Sequence, residues 1–306
     1  MKQKQCFAKK NVFYFGIKRD WRLYVLLLVP MLYFIVFKYI PMLGIAVAFK
    51  DYNIFQGIIK SPWIGLRNFE RLLAMEDFKR VLFNTIRINV LELFFSFPMP
   101  IILSLCLNEV LNVRFKKFVQ TSLYIPYFLS WSIVGGIMYQ LFSTNTGMVN
   151  AMLGTRIPFL TNMNLWLIVY LLSGIWQSAG WNTIIYLAAI TGIDPALYEA
   201  AEVDGAGIFK KMIHITLPSI KPTIVMLLIM KLGSMVSIGF ERPFAMGNTL
   251  VKEYSDVLST FVYRLGLQGG KFSFATAAGV FQSVVSVLLL AIANASAKAM
   301  GEKGIW

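Results

Sequence analysis

The residues best placed for chemistry form a polar segment, residues 199–218 (EAAEVDGAGIFKKMIHITLP), between two long apolar stretches. Asp194 followed by Pro195 is a typical helix start, because aspartate accepts backbone N–H groups and proline fixes a helical φ where its missing N–H is not needed. Gly205 can end this helix in a left-handed conformation. A helix of about two to three turns is unstable alone in water, so it is predicted to dock on another surface.

The residues after Gly205 form a second, amphipathic part of the segment, with Lys210 and Lys211 between apolar side chains. One interpretation is an interfacial helix lying on lipid headgroups. The other is a helix recognised by the groove of a cytoplasmic partner. The single histidine, His214, has no partner at metal-ligand spacing, so no metal site is predicted.

Polar side chains inside the apolar stretches are candidates for a substrate pathway, since charges in lipid are costly and usually face a cavity or a bundle interior. Amides suit the hydroxyl groups of sugars, and aromatic rings pack on the C–H face of a sugar. The alternative use of the same side chains is helix packing and interhelical hydrogen bonding. The candidates are Asn89, Glu92, Trp176, Gln177, Trp181, Asn182, Glu241, Arg242 and Gln282.

The two charged residues within the second apolar stretch, Arg87 and Glu92, are predicted to lie on different faces of its helix. Arg87 and Glu92 are five residues apart, about 140° around an ideal helix, so they are not neighbours on one face. Asn89 and Glu92 are three apart and can share a face, which is predicted to face the cavity. Lys231 either extends to the membrane surface or meets a carboxylate, and the sequence leaves both open.

Composition identifies the class of protein that positions these residues. Hydrophobic residues make up 57% and charged residues 14% of the 306, and the mean hydropathy is +0.64. These values are typical of an integral membrane protein. Because a span needs about 20 mostly apolar residues, the sequence predicts an all-α protein with six transmembrane helices. The predicted spans are 23–44, 83–107, 118–142, 166–190, 223–240 and 276–296.

Lysine and arginine near the predicted spans indicate orientation. The N-terminal tail, residues 1–22, is basic, and basic residues recur at 114–117 and 210–221. Both termini are therefore predicted to be cytoplasmic, with one transmembrane domain over 23–306 and a cytoplasmic loop over 191–222. The net charge of +14 is scattered over membrane flanks, which favours anionic lipids over nucleic acid as its partner.

The 199–218 segment resembles the EAA loop of bacterial ABC importer permeases, E-A-A-x3-G-x9-I-x-L-P, at every fixed position. In that family the short helix is a coupling helix held in a groove of an ATPase subunit. The resemblance assigns Glu199 to a polar contact, Ala200 and Ala201 to close approach, and Gly205 to the turn. The full predicted coupling set is Asp194, Pro195, Glu199, Ala200, Ala201, Asp204, Gly205, Ile215, Leu217 and Pro218.

The resemblance extends over nearly the whole chain. Residues 124–131 (YIPYFLSW), 190–195 (ITGIDP), 275–279 (ATAAG) and 304–306 (GIW) resemble LplB-like permeases of polysaccharide and complex-oligosaccharide importers, in the maltose-type superfamily. One departure is Arg242, where many relatives are expected to carry glutamine, and it leaves the sugar preference open. The family fold is that of a type I ABC importer permease with six helices.

The resemblance also implies an assembly and a mechanism. It implies a second homologous permease, two cytoplasmic ATP-binding subunits that use ATP and Mg, an extracellular solute-binding lipoprotein and an oligosaccharide substrate, with alternating access driven by the ATPases. This chain is predicted to bind no cofactor and to be no enzyme, because residues 266–271 (GLQGGK) fail the spacing of a phosphate loop. The alternatives are an ion-driven secondary transporter and an ABC permease for a non-sugar solute.

Overall fold

The computed structural model describes residues 19–302, 304 and 305. The basic part of the N-terminal tail, residues 1–18, and the end residues Lys303 and Trp306 lie outside the described residues. Within the described ranges the chain is helical, and its only β pairing is an isolated antiparallel bridge between Lys50 and Trp63. The predicted all-α class is confirmed.

The helices follow one another with short connections. In chain order they are α1 (Trp21–Phe49), α2 (Gly57–Lys60), α3 (Arg67–Ala74), α4 (Glu76–Asn108), α5 (Val113–Phe128), α6 (Trp131–Phe142), α7 (Met148–Leu153), α8 (Met163–Thr191), α9 (Pro195–Val203), α10 (Ile208–Gly233), α11 (Glu241–Met246), α12 (Lys252–Ser255), α13 (Leu258–Tyr263) and α14 (Phe272–Ala299).

Four of these helices, α1, α4, α10 and α14, are each long and apolar enough to cross a membrane. Two bent pairs satisfy the same criteria: α5 with α6, which bend by 102°, and α8 with α9, which bend by 73°. Counting each bent pair as one span gives six. The bend between α5 and α6 follows Pro126, which lies in a short 3₁₀ turn and has no N–H to continue the helix.

The fifth long helix differs from the predicted span 223–240. It begins at Ile208, because the amphipathic end of the polar segment continues directly into the apolar stretch. A π turn at Met212–Thr216 precedes Pro218, whose missing N–H interrupts the regular α pattern. The helix ends at Gly233, although apolar residues continue to Phe240. Residues 234–240 are therefore irregular backbone at a position where hydropathy predicted helix.

Buried side chains form small separate cores between the helices. One core surrounds Trp166 and Tyr170 of α8, and another contains Phe78 of α4 and Phe261 of α13. Helix α1 has almost no part in them, since its side chains are exposed until Val47 and Ala48. A helix that is apolar all round and exposed along its length is suited to contact with lipid or with another membrane helix.

Gly180 on α8 packs directly against α5, because a Cβ there would overlap the Leu123 carbonyl oxygen. We expect Gly180→Ala to destabilise the protein by about 1–3 kcal/mol through overpacking, measured as a lower midpoint of thermal unfolding in detergent. Gly136→Ala on α6 is the matched control, since a Cβ there meets nothing within 4 Å. Equal midpoints for the two variants would refute this account of the α5–α8 contact.

Candidate functional site

A cavity of about 480 Å³ lies between α4, α8, α10 and α11. Its wall carries three charged side chains together with hydroxyl and amide groups, and the remaining lining is apolar. The polar and charged lining residues are Glu92, Ser96, Ser178, Asn182, Tyr186, Lys231, Ser234 and Arg242. Mixed apolar and hydrogen-bonding walls are the usual chemistry of a site for a small polar molecule.

Glu92, Lys231 and Arg242 form a charged triad in this wall. One carboxylate oxygen of Glu92 lies 2.8 Å from the Lys231 ammonium, and the other lies 2.5 Å from the Arg242 guanidinium. The three side chains are 13%, 27% and 12% exposed, so the ion pairs are largely shielded from solvent. The carboxylate therefore joins α4 to both α10 and α11, and losing it would leave two nearby cations without compensation.

The Arg242 guanidinium is held from several sides. It donates a hydrogen bond to the Tyr170 carbonyl and stacks on the rings of Tyr170 and Trp131, with its central carbon 3.8 and 5.0 Å from their centroids. Gly174 makes room for it, because a Cβ on that residue would overlap the guanidinium. Helix α11 itself is fixed on α8 by the Trp166 indole N–H, which donates to the Met246 carbonyl at 2.8 Å.

Two buried amides satisfy backbone carbonyls where the helices are irregular. The Asn89 amide donates to the Thr85 carbonyl on its own helix and to the Met235 carbonyl, 2.9 Å away, just beyond the end of α10. The Gln177 amide donates to the Tyr127 carbonyl, 3.2 Å away, beside the α5–α6 bend. Both residues were candidates for the substrate pathway, and the structure gives them the alternative use, structural hydrogen bonding.

The nine candidate pathway residues thus separate into groups. Three of them, Glu92, Asn182 and Arg242, line the cavity, whereas Asn89 and Gln177 are buried in backbone contacts. The other four lie outside the cavity wall: Trp176, Trp181, Glu241 and Gln282. The ring of Trp181 stacks on Tyr127 at 4.7 Å between centroids, so its face toward that residue is occupied by packing.

The sequence leaves the partner of Lys231 open, and the structure pairs its ammonium with Glu92 and, at 3.5 Å, with the side-chain amide oxygen of Asn89. Lys231 and Glu92 are 139 residues apart in the sequence, so no local spacing indicates that they form an ion pair. Arg87 is separated from the triad, as its spacing from Glu92 predicted, and lies over the Tyr254 ring, 5.3 Å from the centroid. Within residues 19–302, no group of three His, Cys, Asp or Glu side chains could hold a metal ion.

The second feature is α9, which lies at the far end of α8 and turns away from it. Its N-cap is Asp194, whose carboxylate accepts the Ala196 N–H at 3.0 Å, and Pro195 occupies the first turn. Past its C-terminus Gly205 has φ +72°, the left-handed conformation, and the Ala206 N–H returns to the Ala201 carbonyl at 2.8 Å. The local sequence thus fixes both ends of this helix.

Two side-chain contacts join α9 to the first turns of α10. The Tyr198 hydroxyl is 2.9 Å from that of Thr216, which is fully buried, and the Lys211 ammonium is 2.8 Å from the Glu202 carboxylate. The hydrogen bond from Lys211 holds the pKa of the Glu202 carboxyl below its usual value. Movement of α9 can therefore pass directly to α10.

The remaining surface of this region is exposed. Glu199 and Ala200 are exposed on α9, and so are the large apolar side chains of Leu197 and Val203. Phe209, at the start of α10, is 78% exposed. Apolar side chains arranged on a short, capped helix form a surface that another protein can cover.

Known proteins resemble this chain over most of its length. The sequence profile of the family described as "Binding-protein-dependent transport system inner membrane component" matches residues 78–302. The polygalacturonan/rhamnogalacturonan transport system permease protein YteP of Bacillus subtilis (strain 168) is 47% identical over 288 residues, which is 93% of this chain and 90% of YteP. Protein LplB of the same strain is 42% identical over 295 residues, covering 95% and 93% of the two chains.

The fold also matches a solved structure. A chain in the crystal structure of a bacterial ABC transporter involved in the import of the acidic polysaccharide alginate superposes with a TM-score of 0.86 and is 43% identical. The match covers 94% of this chain and 98% of that chain. The arrangement of α4 to α14 is therefore shared beyond the level of local sequence motifs.

The charged triad predicts how strongly substitutions of its members destabilise the protein. We expect Glu92→Gln to destabilise the protein by about 3–5 kcal/mol, because it leaves Lys231 and Arg242 buried without a counter-charge. Arg242→Gln should cost less, since the Glu92–Lys231 pair stays balanced. The measurement is the midpoint of thermal unfolding in detergent, with Glu241→Gln, an exposed neighbouring acid, as the control. A midpoint for Glu92→Gln equal to that of the control would show that the triad is not a stabilising contact.

Proposed function

The chain belongs to the family of binding-protein-dependent transport system inner membrane components, and on that premise we propose that it forms one permease half of an ATP-driven oligosaccharide importer. The family match and the similar permeases confirm the predicted resemblance to ABC importer permeases, and the structural match confirms the predicted fold. The chain is a membrane-embedded transport protein by family, and the named relatives support oligosaccharides or polysaccharide fragments as its substrate.

The observation that carries the mechanism is the placement of α9. Its N-terminus is capped by Asp194, the chain turns at Gly205 after its C-terminus, and Glu199 and Ala200 are exposed. It lies between two long apolar helices, α8 and α10. This is the position and form of a coupling helix that docks in a groove of a separate ATP-binding subunit. Glu199 supplies a polar contact there, and the two alanines permit close approach. Ile215, Leu217 and Pro218 lie within α10, at and just after its π turn, where they shape the part of α10 that follows the docking site.

Helix α10 connects this docking site to the cavity. Its first turns hold α9 through Thr216 and Lys211, and its last turn carries Lys231, which contacts Glu92. Thr216 and Lys231 are fifteen residues apart, roughly 22 Å along a helix. A tilt of α10 driven by the ATP-binding subunits would therefore change contacts in the cavity wall. Coupling requires that α9 make different contacts in the inward- and outward-facing states.

The full assembly follows from the same proposal. Two separate ATP-binding subunits use ATP and Mg, while this chain binds no nucleotide itself. A second homologous permease completes the pathway, and an extracellular solute-binding lipoprotein delivers the oligosaccharide. Both termini and α9 face the cytoplasm in the bacterial cell membrane. Closure of the ATP-binding subunits opens the cavity outward to accept sugar, and hydrolysis returns it inward.

The proposal is tested by ATP-dependent uptake of labelled oligosaccharides into vesicles that contain the reconstituted complex. We expect Gly205→Pro to abolish uptake, because proline cannot adopt φ +72°, and Glu199→Ala to reduce it strongly. Both variants should still assemble in the membrane. Glu70→Ala, an exposed change on α3, is the control and should transport normally.

Two outcomes would contradict the proposal in different ways. Undiminished uptake by both α9 variants would mean that this helix does not couple the ATPase to transport. Failure of the wild-type complex to accumulate any oligosaccharide, when it hydrolyses ATP and holds its binding protein, would remove the assignment of sugar as the substrate.

A further inference from the structure

The cavity wall carries one more positive than negative charge. The charged side chains that line it are Glu92, Lys231 and Arg242, which sum to one net positive charge. All fifteen acidic residues of the chain lie within residues 19–302, and among them Glu92 alone lines the cavity. An excess cation at membrane depth is costly unless an anion compensates it.

The excess charge is available at Lys231 rather than at Arg242. Arg242 is occupied by Glu92, the Tyr170 carbonyl and two aromatic rings, and 12% of its side chain is exposed. Lys231 is the most exposed member of the triad at 27%, and two acceptors, on Glu92 and Asn89, account for two of its three N–H donors. Its ammonium can donate a further hydrogen bond to an anionic partner without breaking the triad.

The groups around Lys231 define the chemistry of that partner. Ser96 and Asn182 line the same cavity and provide donors and acceptors for hydroxyl groups. Ser178 and Ser234 also line it, but their O–H groups donate to backbone carbonyls, so they provide acceptors. A molecule that offers both a carboxylate and several hydroxyls satisfies the whole set. We propose that the cavity selects oligosaccharides that carry carboxylates, and that Lys231 is the residue that contacts the carboxylate. This inference rests on the proposed transport of oligosaccharides and names their chemical class.

The test compares an acidic sugar with a neutral sugar of the same length that lacks the carboxylates. A tri-galacturonate and its carboxyl-reduced, neutral counterpart are supplied to vesicles with the wild-type complex or with Lys231→Gln, Lys231→Arg or Lys60→Gln. The ratio of variant to wild-type kcat/KM is taken for each sugar, because the same binding protein serves all complexes and its own preference cancels. Lys60, which is exposed on α2 and is not among the residues that line the cavity, is the control lysine.

We expect Lys231→Gln to lower kcat/KM for the acidic sugar about tenfold or more relative to its effect on the neutral sugar, since a hydrogen bond to a charged group is lost. Lys231→Arg, which keeps the charge, should retain most of the preference, and Lys60→Gln should change neither sugar. Equal loss for both sugars in Lys231→Gln would overturn the inference and leave Lys231 a packing role, with the excess charge met by another anion.

The outcomes separate this inference from the proposed function. If the wild-type complex transports both sugars and Lys231→Gln affects them equally, oligosaccharide import stands and the carboxylate contact is wrong. If Lys231→Gln lowers kcat/KM for the neutral sugar more than for the acidic sugar, the carboxylate contact is wrong while import again stands. If it transports neither these sugars nor any other oligosaccharide, the proposed function fails as well.

Discussion

The Glu92 carboxylate is the contact on which the membrane part of this structure depends. It is the only acidic residue in the interior of an apolar helix, among fifteen acids that all lie in the described part of the chain. In a low-dielectric surrounding it must be compensated, and it is compensated by cations from two other helices. The position of α10 and α11 against α4 is thereby tied to one side chain. Apolar packing alone would give a less specific arrangement, since lipid contacts are equally apolar.

This contact also places the two functional regions on one element. Helix α10 contacts α9 near its start and Glu92 near its end. The proposed docking surface and the cavity therefore lie at opposite ends of one helix. Buried ion pairs often stabilise a protein no more than apolar side chains of the same size. A triad that is partly exposed to a cavity, on the helix that we propose receives the coupling motion, is therefore better explained by the proposed transport than by stability.

Much of this organisation could be predicted from the sequence, because membrane helices are encoded locally. Long apolar runs identified the helices, and the caps at Asp194 and Gly205 gave the bounds of α9 to within a residue or two. The end of α10 could not be predicted. Its apolar run continues past Gly233, but the carbonyls beyond it are taken by Asn89, which lies 146 residues away from Met235 in the chain. The ion pair of Lys231 could not be predicted for the same reason, since Glu92 is distant from it in sequence.

The irregular backbone explains why the cavity lies where it does. Exposed carbonyl and N–H groups are not tolerated in lipid, so a helix can be interrupted at membrane depth only where protein or a polar cavity satisfies it. Helix α4 loses its regular pattern at 96–97, before Pro98, and Ser96 and Phe97 line the cavity. Helix α10 ends at Gly233, and Ser234 lines it too. The interruptions in these two helices therefore open onto the same polar space, which is the cavity that we propose holds the substrate.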